Sequence, residues 1–129
     1  MTSSVVWMPG KRQACKWLNR IEMNESDLPV KETFHDIVKG EKPVLVDFFA
    51  TWCEPCKAQM PILDEVARVL GDQVRILKID VERNPGISSQ VGVRGVPTLV
   101  IYHRGELKWR SSGLQGAREL VNALRKFLS

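Results

Sequence analysis

The sequence predicts an α/β domain, a central mixed sheet of four to five strands flanked by helices on both faces. Three observations carry that reading. The run from Val44 to Ala50 is apolar on both alternating faces apart from Asp47, as expected of a strand covered from both sides. Strand and helix patterns then alternate through about residue 92, the arrangement that joins parallel strands by helical crossovers. After that the pattern changes to a hairpin followed by one amphipathic helix. A chain of 129 residues with 43% hydrophobic content suits a single domain with a proper core.

Residues 1–27 mix single apolar side chains with Lys11, Arg12, Lys16 and Arg20 and show no sustained period. They read as an N-terminal extension, either loosely ordered or supplying one strand at a sheet edge, with Arg20 to Met23 as the candidate. A translation start at Met23 is the sharper alternative. Residues 28–129 form the domain proper. Ser26-Asp27-Leu28-Pro29 has the capping side chain and early proline of a helix start. Val30, Phe34, Ile37 and Val38 give that helix one apolar face, and Gly40 ends it. Pro43 leads into the strand.

The next helix is predicted from about Cys53 to Leu70, stopped by Gly71, with a kink at Pro61, whose ring cannot donate to the preceding turn. A strand follows over 74–81. Asn84-Pro85 then starts a short helix that ends near Gly92. Thr98 to Tyr102, the turn His103-Arg104-Gly105-Glu106 and Leu107 to Ser111 read as a β-hairpin. Ala117, Leu120, Val121, Leu124 and Phe127 share one face of the last helix.

Composition excludes several function classes. A net charge of +4, with no Lys/Arg block interleaved with aromatics, gives no footprint for nucleic acid. No run approaches the roughly 18 apolar residues that span a bilayer. Val5-Val6-Trp7-Met8 is too short for a signal-peptide core and is interrupted by Pro9-Gly10-Lys11-Arg12. A cytoplasmic location is the expectation, with no membrane partner. Three cysteines, two of them in Cys-x-x-Cys, do not make a stapled secreted scaffold. Cys15 lies among positive charges that favour its thiolate, and reads as an incidental exposed thiol.

The chemistry concentrates in Thr51-Trp52-Cys53-Glu54-Pro55-Cys56-Lys57, where a strand hands over to a helix. With the helix starting near Cys53, its sulfur faces the unsatisfied N–H groups and positive dipole end of the first turn, which stabilise a thiolate. Cys56, one turn on, can close on it with little chain movement. An easily ionised thiol beside a second thiol that captures it is the minimum apparatus of dithiol–disulfide exchange. A structural zinc pair is the competing reading. It needs about four ligands, and only Cys15, His35, His103 and scattered carboxylates remain. Asp47 is the second informative residue, since a carboxylate inside an apolar strand is costly without a task or partner, and burial raises its pKa.

The segment Val-Asp-Phe-Phe-Ala-Thr-Trp-Cys-Glu-Pro-Cys-Lys resembles thioredoxin, as do Pro61, Lys-Ile-Asp-Val at 78–81, Gly-Val-Pro-Thr at 95–98 and the glycines at 105 and 113. The resemblance covers roughly residues 30–129, and the family is itself a standard case of a depressed thiol pKa. It implies the thioredoxin fold and reduction of disulfides in substrate proteins. Cys53 would be the nucleophile and Cys56 the resolving thiol, the two forming the redox disulfide. Asp47 would act as general acid and base for Cys56. Lys78, in the adjacent strand, could approach Asp47 and moderate its pKa, or be an ordinary surface lysine. Pro97 would be a cis-proline facing the disulfide, leaving Val96 to pair with an extended substrate segment. Trp52, Glu54, Pro55, Gly95, Val96, Pro97 and Gly113 would line the contact patch, with Trp52 as plain core the alternative. No bound metal or organic cofactor is implied. Electrons would come from a thioredoxin reductase using NADPH, and the protein would act as a monomer.

Glu54 departs from the family's commonest motif, which has Gly there. A carboxylate is favoured by the helix dipole, yet beside Cys53 it disfavours a second negative charge. The expectation is a higher Cys53 pKa and a more reducing couple than in Glu54→Gly. Two rival readings remain: a non-catalytic binding module on the same fold, and a disulfide oxidase or isomerase in an oxidising compartment. The absent signal, and the absence of His between the cysteines, weigh against the latter.

Overall fold

A computed structural model of the chain describes residues 20–23 and 34–128. Five strands, β1 (Arg20–Met23), β2 (Val44–Phe49), β3 (Arg75–Asp80), β4 (Thr98–His103) and β5 (Glu106–Ser112), form one sheet in the order β1-β3-β2-β4-β5. β3 pairs in parallel with β1 and β2, whereas β4 runs antiparallel to both β2 and β5. The edge strand is the segment that the sequence offers as its candidate, Arg20–Met23, so the sheet begins ahead of residue 28. The start of the first helix at Ser26 to Pro29, Val30 and Cys15 lie outside the described residues.

Among the described residues, four helices cover the sheet: α1 (Phe34–Val38), α2 (Glu54–Leu70), α3 (Pro85–Val91) and α4 (Ala117–Arg125). Strand side chains alternate between two cores, as the two-residue period of a strand requires. Leu45, Ile76, Leu99 and Ile101 pack with Leu63, Val66 and Leu70 of α2 and Leu120 and Leu124 of α4. Val44, Val46, Phe48, Leu77, Ile79 and Val100 face the other way, against Phe34, Ile37 and Val38 of α1, with Ile87 and Val91 of α3 beside them. A strand buried on both faces therefore needs an almost continuous apolar sequence, and β2 has one.

α2 runs on through Pro61 to Leu70, and a short 3-10 turn at Gly71–Gln73 leads into β3. At the start of α3 the structure departs from expectation. Asn84 occupies the N-cap position, but its side chain makes no cap; its Nδ2 donates instead to the Asp80 carbonyl at 2.9 Å, because the residue is fully buried against the end of β3. The hairpin turns at Arg104 and Gly105, both at positive φ (55° and 85°), which matches the twist of two-residue hairpin loops and favours Gly at the second position. Gly105 N–H donates to the Val38 carbonyl at 2.9 Å, docking the turn on the end of α1. No helix among the described residues is long and apolar enough to cross a membrane.

Candidate active site

β2 ends at Phe49, and after a four-residue link α2 begins at Glu54, with Cys53 as its N-cap in extended backbone conformation. The sequence dictates that start. Glu54 places a negative charge at the positive end of the helix, and Pro55 falls in the first turn, where a missing N–H costs nothing. The Cys53 carbonyl accepts the first helical hydrogen bond, from Lys57 N–H at 3.3 Å. Its sulfur does what a capping oxygen does elsewhere: Cys56 N–H donates to Cys53 Sγ at 3.2 Å. Cys53 and Cys56 are joined in a disulfide, with their Cα atoms 5.2 Å apart.

In this oxidised state the two cysteines are 4% and 3% exposed. Burial therefore does not separate the two while they are joined. The bond holds both sulfurs in one apolar nest with Ala50, against which Phe49, Val81 and Val96 pack. What distinguishes the two is position along the helix, since Cys53 stands before the first turn and Cys56 inside it.

Trp52 is 65% exposed, which removes the alternative that it is a core residue. Its indole Nε1 donates to Glu82 at 2.7 Å, and Glu82 N–H in turn donates to Asp80 Oδ1 at 2.9 Å. The ring is therefore held on the surface by a carboxylate thirty residues away. Glu54 forms an exposed ion pair with Lys57 at 2.9 Å, so its charge beside Cys53 is partly matched.

The Val96–Pro97 peptide bond is cis. Gly95 and Pro97 flank Val96 in the segment leading into β4, and Thr98 Oγ1 donates to the Gly95 carbonyl at 2.6 Å. Gly113 follows β5 at φ 92° and donates its N–H to the Pro97 carbonyl at 2.8 Å. Trp52, Glu54, Pro55 and Gly95 are thus exposed around the disulfide, with Val96 and Gly113 half-buried.

Asp47 lies on β2 with its side chain on the sheet face that α2 covers, and it is fully buried. Neither carboxylate oxygen has a hydrogen-bond partner among the described residues. Burial pushes its pKa up from 3.8 to about 7, and the Lys78 charge partly offsets that rise. Lys78 is paired in register with Asp47 on β3 and is 1% exposed, so it is not a surface lysine. Its Nζ stands 4.7 Å from the centre of the Phe49 ring, a cation–π contact.

Two side chains around the site are not singled out by the sequence. Gln59, one turn beyond Cys56 on α2, is fully buried and exchanges two hydrogen bonds with the backbone of Gln115. Its place in the buried stripe of Cys56, Leu63 and Val66 is the available signal, because an amide there must find partners. Arg110 of β5 donates to the carbonyls of Val91 and Gly92 at the end of α3. That contact pairs residues eighteen and nineteen apart and leaves no local trace in the sequence. No cluster of three or more metal-ligating side chains occurs among the described residues.

The thioredoxin family model matches residues 27–126. The thioredoxin of Rickettsia typhi is 38% identical over 103 residues, covering 80% of this chain and 95% of that protein. A thioredoxin-like protein of Synechocystis is 41% identical over 96 residues, covering 74% of this chain and 91% of its own length. Among solved structures, a mutant thioredoxin from Halobacterium salinarum superposes with a TM-score of 0.69 at 35% identity, covering 74% of this chain and 82% of that one.

Proposed function

The chain belongs to the thioredoxin family, and from that premise we propose how its residues divide the work. It is a thiol–disulfide oxidoreductase, a protein-disulfide reductase whose partners are disulfide-containing proteins. The observation that carries the division of labour is the N-cap: Cys53 Sγ sits at the mouth of α2 and accepts from Cys56 N–H. Partial positive charge concentrated there favours a thiolate at Cys53 over one at Cys56.

The reduced protein attacks with the Cys53 thiolate on one sulfur of a substrate disulfide. The substrate S–S bond breaks, a mixed disulfide forms, and the departing substrate thiolate takes up a proton. Cys56 then loses its proton and attacks the Cys53 sulfur, releasing the second substrate thiol. The substrate gains two electrons and two protons, and the protein is left with the Cys53–Cys56 disulfide. Asp47 receives the Cys56 proton: its pKa of about 7 makes it a competent base at neutral pH, and its buried oxygens have no competing hydrogen bond among the described residues. Lys78 limits the rise of that pKa.

Substrate docks on the patch of Trp52, Glu54, Pro55, Gly95, Val96, Pro97 and Gly113, with an extended segment laid along Val96. Members of the family need no bound cofactor in general. A thioredoxin reductase drawing on NADPH restores the dithiol, and the protein works as a monomer in the cytoplasm. Insulin turbidity with that reductase and NADPH tests the reading. Turnover with wild type, and none with Cys53→Ser or Cys56→Ser, supports it. Absent turnover in wild type, with partners still captured by both serine variants, would establish a binding module instead.

A further inference from the structure

Gln59 is fully buried on α2, and a buried primary amide is costly unless its donor and acceptor are both used. Here both are used on one residue. Gln59 Nε2 donates to the Gln115 carbonyl at 2.8 Å, and Gln115 N–H donates to Gln59 Oε1 at 2.9 Å. The pair mimics one rung of a β-ladder, built between a helix side chain and a loop backbone. Gln115 lies in the connection between β5 and α4, two residues after Gly113. Gly113 in turn donates to the Pro97 carbonyl at 2.8 Å, and Val96 packs on the cysteine nest. A closed path thus runs from Cys56 along α2 to Gln59, across to Gln115, back to Gly113 and Pro97, and through Val96 to Cys53.

The disulfide closes the path, and Gln59 is its link between α2 and the segment 113–115. Leu114, within that segment, is 49% exposed and stands with Trp52 among the large apolar side chains that remain open to solvent. We propose that Gln59 is a positioning residue for protein substrates: its amide fixes the segment 113–115 relative to the disulfide, so that an extended polypeptide finds both sides of its docking patch preformed. The inference rests on the disulfide-reductase reading and adds a specificity determinant to it. A small disulfide needs access to Cys53 Sγ and little else. A polypeptide needs the whole patch, and ordering a loop at the moment of docking subtracts from affinity.

The test compares Gln59→Leu with wild type, using a thioredoxin reductase and NADPH as electron source, because dithiothreitol itself reduces the small disulfide, and two substrates, insulin and dithiobis(nitrobenzoic acid). Leucine fills the space while leaving the Gln115 N–H and carbonyl without their partner. The expected result is a KM for insulin raised about tenfold, the factor that the loss of one to two net hydrogen bonds supplies. The insulin kcat and the rate with the small disulfide stay within about twofold. Parallel loss on both substrates, or no change on either, overturns the proposal. Native-state hydrogen exchange gives a reading that does not depend on the variant folding. The Gln115 amide of the wild type is expected to be protected, and exchange at the rate of an open loop overturns the clamp. Failure of wild type on both substrates would instead sink the reductase reading, so the two failures are distinguishable.

Discussion

Asp47 and Lys78 stand opposite each other in the parallel register of β2 and β3, both at 1% exposure or less, with Lys78 Nζ 4.7 Å from the Phe49 ring centre. An acid and a base placed side by side in a core would ordinarily form a hydrogen-bonded pair, since desolvation of each is costly. Here the carboxylate oxygens have no hydrogen-bond partner among the described residues, and the pKa of Asp47 rises to about 7 despite the nearby cation.

Stability should therefore depend on pH through Asp47. Its folded pKa of about 7 lies above its ordinary value of 3.8, so between those limits the folded state holds a proton that the unfolded state has released. Folding stability falls as pH rises through that window, and the loss is complete above it. Asp47→Asn removes the charge, and the oxidised variant is expected to be more stable than wild type at pH 8 by about 1–3 kcal/mol. The full shift would correspond to roughly 4 kcal/mol, less the cost of an amide buried without a partner. Urea unfolding at pH 8 and pH 4 checks it, and the difference should shrink at the lower pH.

The same residue should govern the second chemical step. Deprotonated above about pH 7, Asp47 can take the Cys56 proton; protonated below that, it cannot. Release of the mixed disulfide in the wild type is expected to accelerate as pH rises through 7, an inflection that Asp47→Asn loses. With that variant the mixed disulfide should persist at least about tenfold longer at pH 8, within the range general-base catalysis supplies. Rapid quench and mass spectrometry of the mixed species with a peptide disulfide gives the measurement.

Trp52 separates packing from docking. At 65% exposure it buries little, so Trp52→Ala should change unfolding free energy by no more than about 0.5–1 kcal/mol, including the lost indole bond to Glu82. The KM for insulin should nonetheless rise severalfold. Large destabilisation with unchanged KM would place the ring in the fold's support and outside the contact patch.

Glu54 should tune Cys53 less than an isolated carboxylate would. The nearby Lys57 ammonium, 2.9 Å from the carboxylate, offsets part of its field, and both groups are exposed and screened. The Cys53 pKa in Glu54→Gly is expected to fall below that of wild type, by less than about one unit. In Lys57→Ala it should rise. Alkylation rates against pH at low salt read both, and about 1 M salt should largely erase the differences.

Much of the fold is legible because it follows local rules. The apolar run of β2, the Cys53–Pro55 helix start, Asn84-Pro85 before α3 and the Arg104-Gly105 turn each carry their own signal within a few residues. The cysteine pair and Asp47 are legible for the same reason. Asn84 shows the limit: its type predicts a cap, but burial turned its amide toward the Asp80 carbonyl. Gln59, the Trp52–Glu82 bond and the Arg110 contacts are long-range, joining residues that only the finished sheet brings together. Lys78 is ambiguous in sequence because a lysine is buried only when a neighbouring strand supplies an acid or an aromatic face, and that depends on register.

The most direct test of the account is alkylation of the fully reduced protein by iodoacetamide across pH 5–10, with peptide mapping to assign each thiol, Cys15 included. Helix-mouth stabilisation predicts that Cys53 reacts first and reaches half-maximal rate below the ordinary cysteine value of about 8.5, with Cys56 slow throughout. A Cys53 that stays unmodified, or that titrates at or above that value while Cys56 reacts ahead of it, would contradict the account.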